Sequence, residues 1–385
     1  MKKIFALLIL LLPLHLAAQV EASIAGFFPL NGSGRVIYDF NPGWRFYRGD
    51  VKGAEALHFN DSSWDIVSTP HTVQLMPAEA SGCRNYQGVA WYRKHFVVPP
   101  NMKVKHVTLY FEAIMGKQEF YVNGIKVKTH FGGYLPIIID LSACRVHAGD
   151  SCLIAVKADN SDDGTYPPGK KQTALDFCYH GGIYRDVWMI GKSPVAITDA
   201  MEANEVAGGG AFLHYGNISD KKAEVYLNVE VKNESVHSVD TWVNAIIRDA
   251  KGNIIKSIKS KLPIFAGKTK TAFLSAVVKN PHLWSPNDPY LYKVECSVNS
   301  KGQTVDGGVL RMGIRKAEFR GKNGFWLNGK PFGQLIGGNR HQDFAYVGNA
   351  LPNSQQWRDA KRLRDAGCVI VRSAHYPQDP AFMDA

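Results

Sequence analysis

Cysteine is scarce and scattered: six in 385 residues (Cys83, Cys144, Cys152, Cys178, Cys296 and Cys368), none in a CxxC pair. That spacing excludes a disulfide-stapled mini-domain and a zinc finger, whose ligands come in close pairs. Most are expected as small apolar fillers, with Cys144 and Cys152 a candidate pair in an oxidising compartment. Beyond residue 18 no stretch approaches the ~18 uncharged apolar residues of a membrane-spanning helix. No nucleic-acid recognition motif accompanies the positive charge, so nucleic acid is not an expected partner. Helical periodicity is also missing from most of the chain, which argues against an α-rich protein.

What is present begins with a leader. Lys2 and Lys3 precede an apolar run from Ile4 to Leu16, and Ala17-Ala18 offers a small-residue cleavage site. Residues 1–18 therefore read as a secretory signal peptide, and the mature protein is expected to be secreted, in a bacterial periplasm. The formal charge is +11, or +9 once Lys2 and Lys3 leave with the leader. Lys221, Lys222, Lys251, Lys256, Lys259, Lys261, Lys268 and Lys270 recur along strand-like segments, as a solvated face would carry them. An anionic polysaccharide is the sharper alternative.

With 36 glycines and 19 prolines the chain reads as turn-rich and mainly β. Residues 30–192 show short alternating strands. Val107, Leu109 and Phe111 alternate with Thr108, Tyr110 and Glu112, and Asn123-Gly124 separates two further alternating runs. Asn-Gly is the strongest local hairpin signal, because both turn positions need positive φ. A jelly-roll sandwich is the expected fold. Residues 193–315 repeat the pattern with Val225, Leu227, Val229 and Val231, then Val243, Ala245 and Ile247. That length suits an immunoglobulin-like β-sandwich.

The period then changes. Over 316–385 the spacing predicts a strand from Phe332 to Ile336, a helix, and a second strand from Cys368 to Val371. Asn353 and Gln356 are placed as a capping box. Trp357, Ala360, Leu363 and Ala366 follow at helical spacing, and Gly367 stands at the C′ position. Strand, helix, strand with a short crossover is the start of a (β/α)8 TIM barrel, in which reactive side chains sit where parallel strands end.

Several motifs in order carry a family resemblance. Arg84-Asn85-Tyr86 and Trp91-Tyr92-Arg93-Lys94 open the series, and Asp176-Phe177 with Gly181-Gly182-Ile183-Tyr184-Arg185-Asp186-Val187 follows. Gly324-Phe325-Trp326-Leu327-Asn328-Gly329-Lys330-Pro331, Asn339-Arg340-His341-Gln342-Asp343-Phe344 and Arg372-Ser373-Ala374-His375-Tyr376-Pro377 complete it. Together they resemble glycoside hydrolase family 2, across essentially the whole mature chain. The resemblance implies that His341 and His375 bind sugar hydroxyls and that Asp176 contacts the same sugar. It implies that Arg372 supports a nucleophilic carboxylate, while Asn339 and Arg340 shape the pocket or serve turn and packing roles. It also leaves a divalent or monovalent metal ion and homo-oligomerisation open, without naming ligands; no other cofactor is expected.

Retaining glycosidases use two carboxyls ~5 Å apart as nucleophile and acid/base. The family's acid/base and nucleophile glutamates have no counterpart here, so no catalytic pair is nominated and the chain alone is expected to be inactive. Gln342 stands where many members have Glu, which leaves any metal or proton role of that carboxylate in question. About two barrel strands are present where a closed barrel needs eight, so poor folding is expected after Gly324. The expected activity is exo-hydrolysis of terminal β-glycosides, β-galactosides first, with β-glucuronides as the rival. Arg84-Asn85-Tyr86 also resembles the β-glucuronidase branch. A non-catalytic carbohydrate-binding protein, using Trp91, Tyr134, Tyr166 and Tyr179 on loops, is the alternative class.

Overall fold

The computed structural model describes residues 21–76 and 85–385. The leader over 1–18 and Arg84 of the Arg84-Asn85-Tyr86 motif lie outside the described residues.

The first sandwich stacks a six-stranded antiparallel sheet on a four-stranded one. In the larger sheet Trp44–Arg48, Val89–Val97, Ser151–Asp159 and Lys117–Val122 lie side by side, with Asp65–Val67 and Ile125–Phe131 at its edges. The smaller runs Val36–Asp39, Val187–Lys192, His106–Phe111, Ile137–Asp140. Trp44, Tyr92, Leu109, Phe111, Phe120 and Ile154 fill the space between. Asn123-Gly124 makes the expected hairpin turn, both residues at positive φ. Strand His106–Phe111 departs from simple alternation, being buried on both faces from Val107 onward. Its outer face is covered by Ile24, Ala25, Ile37 and Trp188, which pack on Tyr110, Ile138 and Ile190. Gly182 is required by a close approach: it has φ +119°, and a Cβ there would lie 2.5 Å from the His71 carbonyl oxygen.

The second sandwich pairs Lys222–Asn233 with Val195–Ile197, Ala211–Ile218 and Thr269–Lys279. Facing it are Ile254–Ile264, Val239–Arg248, Tyr292–Ser300 and Gln303–Met312. Val225, Leu227, Val229, Val231, Val243, Ala245 and Ile247 all point into the shared core. The two sandwiches are tied by Arg35, whose Nε and Nη2 each donate to Asp306 at 2.9 Å, and by His106. The His106 ring lies 3.1 Å from Asp140 and 2.8 Å from Glu234.

Cys296 is the core filler expected of it. Cys178, by contrast, is disulfide-bonded. The candidate Cys144–Cys152 pair does not form; both are free. Cys152 points into the apolar core, where burial pushes its thiol up to about 12.

The last segment differs from expectation in register. Lys330–Gly333 closes a three-stranded antiparallel sheet with Ala317–Phe319 and Phe325–Leu327, so Phe332–Ile336 is not the first barrel strand. The reason is a second Asn-Gly turn, Asn328-Gly329, at φ +53° and +78°. The first parallel strand is Gly337–Arg340, paired with Ile370–Ser373 so that Asn339 stands opposite Arg372. Helix Asn353–Asp365 joins them. Gly367 ends it as predicted, with Gly367 N–H donating to Arg364 and Cys368 N–H to Leu363, a Schellman stop. No capping box forms, because Pro352 takes the N-cap. The Asn353 amide reaches Asp186 at 2.8 Å and Gln356 accepts from Arg340. After Gly324, Asn328 bonds the Trp284 carbonyl of the second sandwich, and the loops bearing His341 and Tyr376 pack on Phe177, Tyr134 and Arg185 of the first, while Ile336 and Ile370 remain 60% and 43% exposed. No described helix is long and apolar enough to cross a membrane.

Candidate functional site

Strand Gly337–Arg340 delivers His341, and strand Ile370–Ser373 delivers His375 and Tyr376. The loop Leu175-Asp176-Phe177 of the first sandwich reaches over both strand ends. Phe177 is the hub. Its ring lies 5.5 Å from His341 and nearly parallel to it, 5.8 Å from His375 and 5.4 Å from Tyr376. The two histidine rings meet edge-on at 5.6 Å. Tyr376 stacks flat on Tyr134 at 4.8 Å. These contacts bury apolar area from both domains, and the offset and edge geometries suit aromatic quadrupoles.

Beside this cluster opens a cleft of about 770 Å³. Asp176 and His375 line it, with the Asp176 carboxylate 4.0 Å from His375 Nε2. Tyr134, Phe131 and Lys170 line it as well. His341 sits one ring back, stacked on Phe177, with Nδ1 buried and without a hydrogen-bond partner.

The other expected site residues separate by strand alternation. Asn339 and His341 share one side of their strand. Arg372, the register partner of Asn339, is exposed like it. Arg340 points the opposite way, towards the helix, and does not shape the pocket. Its guanidinium donates to Gln378, Gln356 and Asp359 at 2.5 to 2.7 Å and covers the Phe382 ring. That is a packing role.

The sequence reading assigned no role to Arg185, which ties the cleft together. Its Nη2 donates to Gln342 Oε1 at 3.0 Å and to the Pro377 carbonyl at 2.7 Å, and Nη1 reaches the Tyr134 carbonyl at 3.4 Å. One side chain thus holds the loops bearing His341 and His375 against the first sandwich. Gln342 also donates its backbone N–H to the Tyr376 hydroxyl. Around Arg185 lie buried acids. Burial pushes the Glu112 carboxyl well up, pushes Asp379 up, and carries Asp186 to about 6 despite hydrogen bonds from Asn353 and Asn41. The signal for Arg185 was its place in the Gly181–Val187 motif. Phe177 and Tyr376 likewise adjoined named residues.

Of the four aromatics expected on sugar-binding loops, Tyr134 lines the cleft and Tyr166 packs beside Phe131, whereas the other two do not reach it. Trp91 is buried inside strand Val89–Val97, and Tyr179 is buried with its hydroxyl on Asp162. Among the described residues no three His, Cys, Asp or Glu side chains gather as a metal-holding group.

Three segments match known domain descriptions. Residues 52–194 match "Glycosyl hydrolases family 2, sugar binding domain", residues 212–315 "Glycosyl hydrolases family 2", and residues 318–385 "Glycosyl hydrolases family 2, TIM barrel domain". The chain is 30% identical over 354 residues to a β-galactosidase of Thermoanaerobacter pseudethanolicus, covering 91% of this chain and 45% of that one. It is 29% identical over 369 residues to a β-glucuronidase of Formosa agariphila, covering 92% and 37%. The structure of Bacteroides uniformis β-glucuronidase 2 covalently bound to cyclophellitol-6-carboxylate aziridine superposes with a TM-score of 0.82 at 28% identity, over 91% of this chain and 41% of that one. A putative β-galactosidase from Bacteroides fragilis gives 0.81 at 30%, over 91% and 51%. The chain spans about half or less of each relative's length.

Proposed function

This chain belongs to glycoside hydrolase family 2, and from that premise we propose that its cleft grips the terminal sugar of a β-glycoside. The convergence of Asp176, His375 and Phe177 at the ends of two parallel strands carries the reading. Asp176 supplies an acceptor and His375 a ring nitrogen for sugar hydroxyls, while the largely buried Phe177 and Tyr376 form the apolar wall behind them. Asn339 and Arg372 stand side by side on the barrel strands, and support of a nucleophilic carboxylate by Arg372 stays a proposal drawn from the family resemblance.

Hydrolysis with retention needs two carboxyls ~5 Å apart. Among the described residues Asp176 is the acid lining the cleft, so the described residues offer sugar contacts there and no carboxyl pair. The activity of the whole protein is proposed as exo-acting β-galactosidase. β-Glucuronidase is the second reading, favoured by the mixture of both activities among the relatives. Export to a periplasm is proposed on the leader-like residues 1–18 and on the disulfide-bonded Cys178.

Calorimetric titration with methyl β-galactoside and methyl β-glucuronide, alongside p-nitrophenyl assays of both sugars, tests this. Binding that His375→Ala weakens about ten-fold or more, without turnover, is expected; a lost sugar-hydroxyl hydrogen bond is of that size. Turnover by the 385-residue chain would contradict the reading of a cleft without a carboxyl pair, and no binding would defeat the site.

A further inference from the structure

The cleft is larger than Asp176 and His375 account for. About 770 Å³ is the size of a site for a drug-sized ligand, and one pyranose ring fills only part of it. Asp176, His375 and Tyr376 stand where the barrel strands finish. The rest of the lining comes from the first sandwich and includes a second flank of Phe131, Leu135, Pro167, Pro168 and Lys170, from loops distant in sequence from Asp176 and His375. In an exo-acting enzyme the terminal sugar occupies the strand-end side, and the remainder of the substrate leaves along this flank.

Two features define what the flank accepts. The first is exposed apolar surface: Phe131 is 55% and Leu135 47% exposed. The Phe131 ring is steadied from the side by Tyr166 at 5.8 Å and by the Lys117 ammonium at 5.9 Å. An aromatic ring kept exposed in a cleft suits the C–H face of a second sugar. The second is charge. Lys170 is exposed and enters none of the ion pairs among the described residues. His130 is no competitor for an anion: its Nδ1 bonds Gln118 at 2.8 Å, and burial and Lys128 hold its pKa below the usual value. Asp176, the carboxylate of the cleft, lies 4.0 Å from His375, on the strand-end side.

We propose that this flank is a leaving-group subsite for an anionic sugar, its ring on Phe131 and its carboxylate or sulfate at Lys170. The proposal rests on the terminal-sugar reading above and adds the class of the sugar that follows it. Lysine suits such a role as a point charge that accepts either anion, in contrast to the fork geometry of arginine.

The test uses calorimetry on the 385-residue chain at low salt. The probes are three disaccharides with a common terminal sugar, whichever methyl β-glycoside binds better, followed by glucose, glucuronate or glucose 6-sulfate. Both acidic probes should bind about five-fold more tightly than the neutral one, the scale of a partly exposed ion pair. The gap should shrink as salt rises. Lys170→Met should abolish the gap and leave the neutral disaccharide unchanged. Phe131→Ala should weaken all three while leaving the methyl glycoside alone. A preference for only one acidic probe would narrow the anion to that group. Equal affinities, or an undiminished gap in Lys170→Met, would overturn the proposal. So would loss of methyl β-glucuronide binding in Lys170→Met, which would move Lys170 to the terminal sugar. If neither methyl glycoside binds, the site reading itself fails and this subsite with it.

Discussion

The second sandwich and the barrel segment are stabilised in opposite ways. In the sandwich, Lys222–Asn233 and Val239–Arg248 send every other side chain into one apolar core, and polar groups such as Asn233 and Thr241 only fasten its rim to nearby carbonyls. In the barrel segment the apolar residues of the helix, Trp357, Ala360 and Leu363, are only half-buried, Ile370 is exposed, and Gln356 is the one buried residue of the helix. Directional bonds take over: Arg185 to Gln342 and Pro377, Arg340 to Gln356, Gln378 and Asp359. An apolar core tolerates small shifts. A guanidinium with several buried acceptors does not, and it sets loop positions to within hydrogen-bond tolerance. The site therefore sits on the region whose geometry is most exactingly specified and whose apolar support is thinnest.

The sharpest way to break that contrast is Arg185→Ala. It should cost roughly 3–5 kcal/mol locally, because Asp379 and Gln342 are left buried without their cation or donor. Hydrogen exchange should show residues 337–385 opening while the second sandwich stays protected. Uniform loss of protection, or none, would contradict the contrast. A paired truncation comes next. Leu227→Ala should lower stability by about 2–4 kcal/mol, whereas Ile370→Ala, exposed already, should cost less than about 1 kcal/mol. Denaturant melts that ranked them equally would remove the distinction.

The smallest effect concerns the joint between the sandwiches. Hydrogen bonds to Asp140 and then Glu234 raise the His106 imidazole to about 9, and the same contact holds the Glu234 carboxyl at about 2. A raised histidine stabilises fully below its unfolded value near 6.5 and loses that contribution as pH rises through 9. The depressed carboxyl contributes above about 4.5 and loses it towards 2. The clamp should be strongest between about pH 4.5 and 6.5. His106→Gln should cost roughly 1–3 kcal/mol at pH 6 and little at pH 10, by thermal melts. A pH-independent difference would remove the clamp.

Legibility followed locality. The hairpin at Asn123-Gly124 and the helix stop at Gly367 were readable because each depends on a few adjacent residues and their φ preferences. The same rule, applied to Asn328-Gly329, would have moved the first barrel strand to its observed place. The cleft pair Asp176 and His375 was legible only through motif order, since the two stand on different domains. For Arg340 the sequence left pocket and packing roles open, and the pleat decides for packing.

Alternation and turn chemistry, both short-range, determined by themselves the two sandwiches, their order and the change to a parallel unit. Tertiary structure alone decided that Phe177 is the hub between two histidines, that Arg185 ties both loops, and that strand His106–Phe111 is buried on both faces. Those outcomes depend on groups far apart in the chain. Their free energy comes from desolvation and hydrogen-bond geometry, which exist only once the domains are packed.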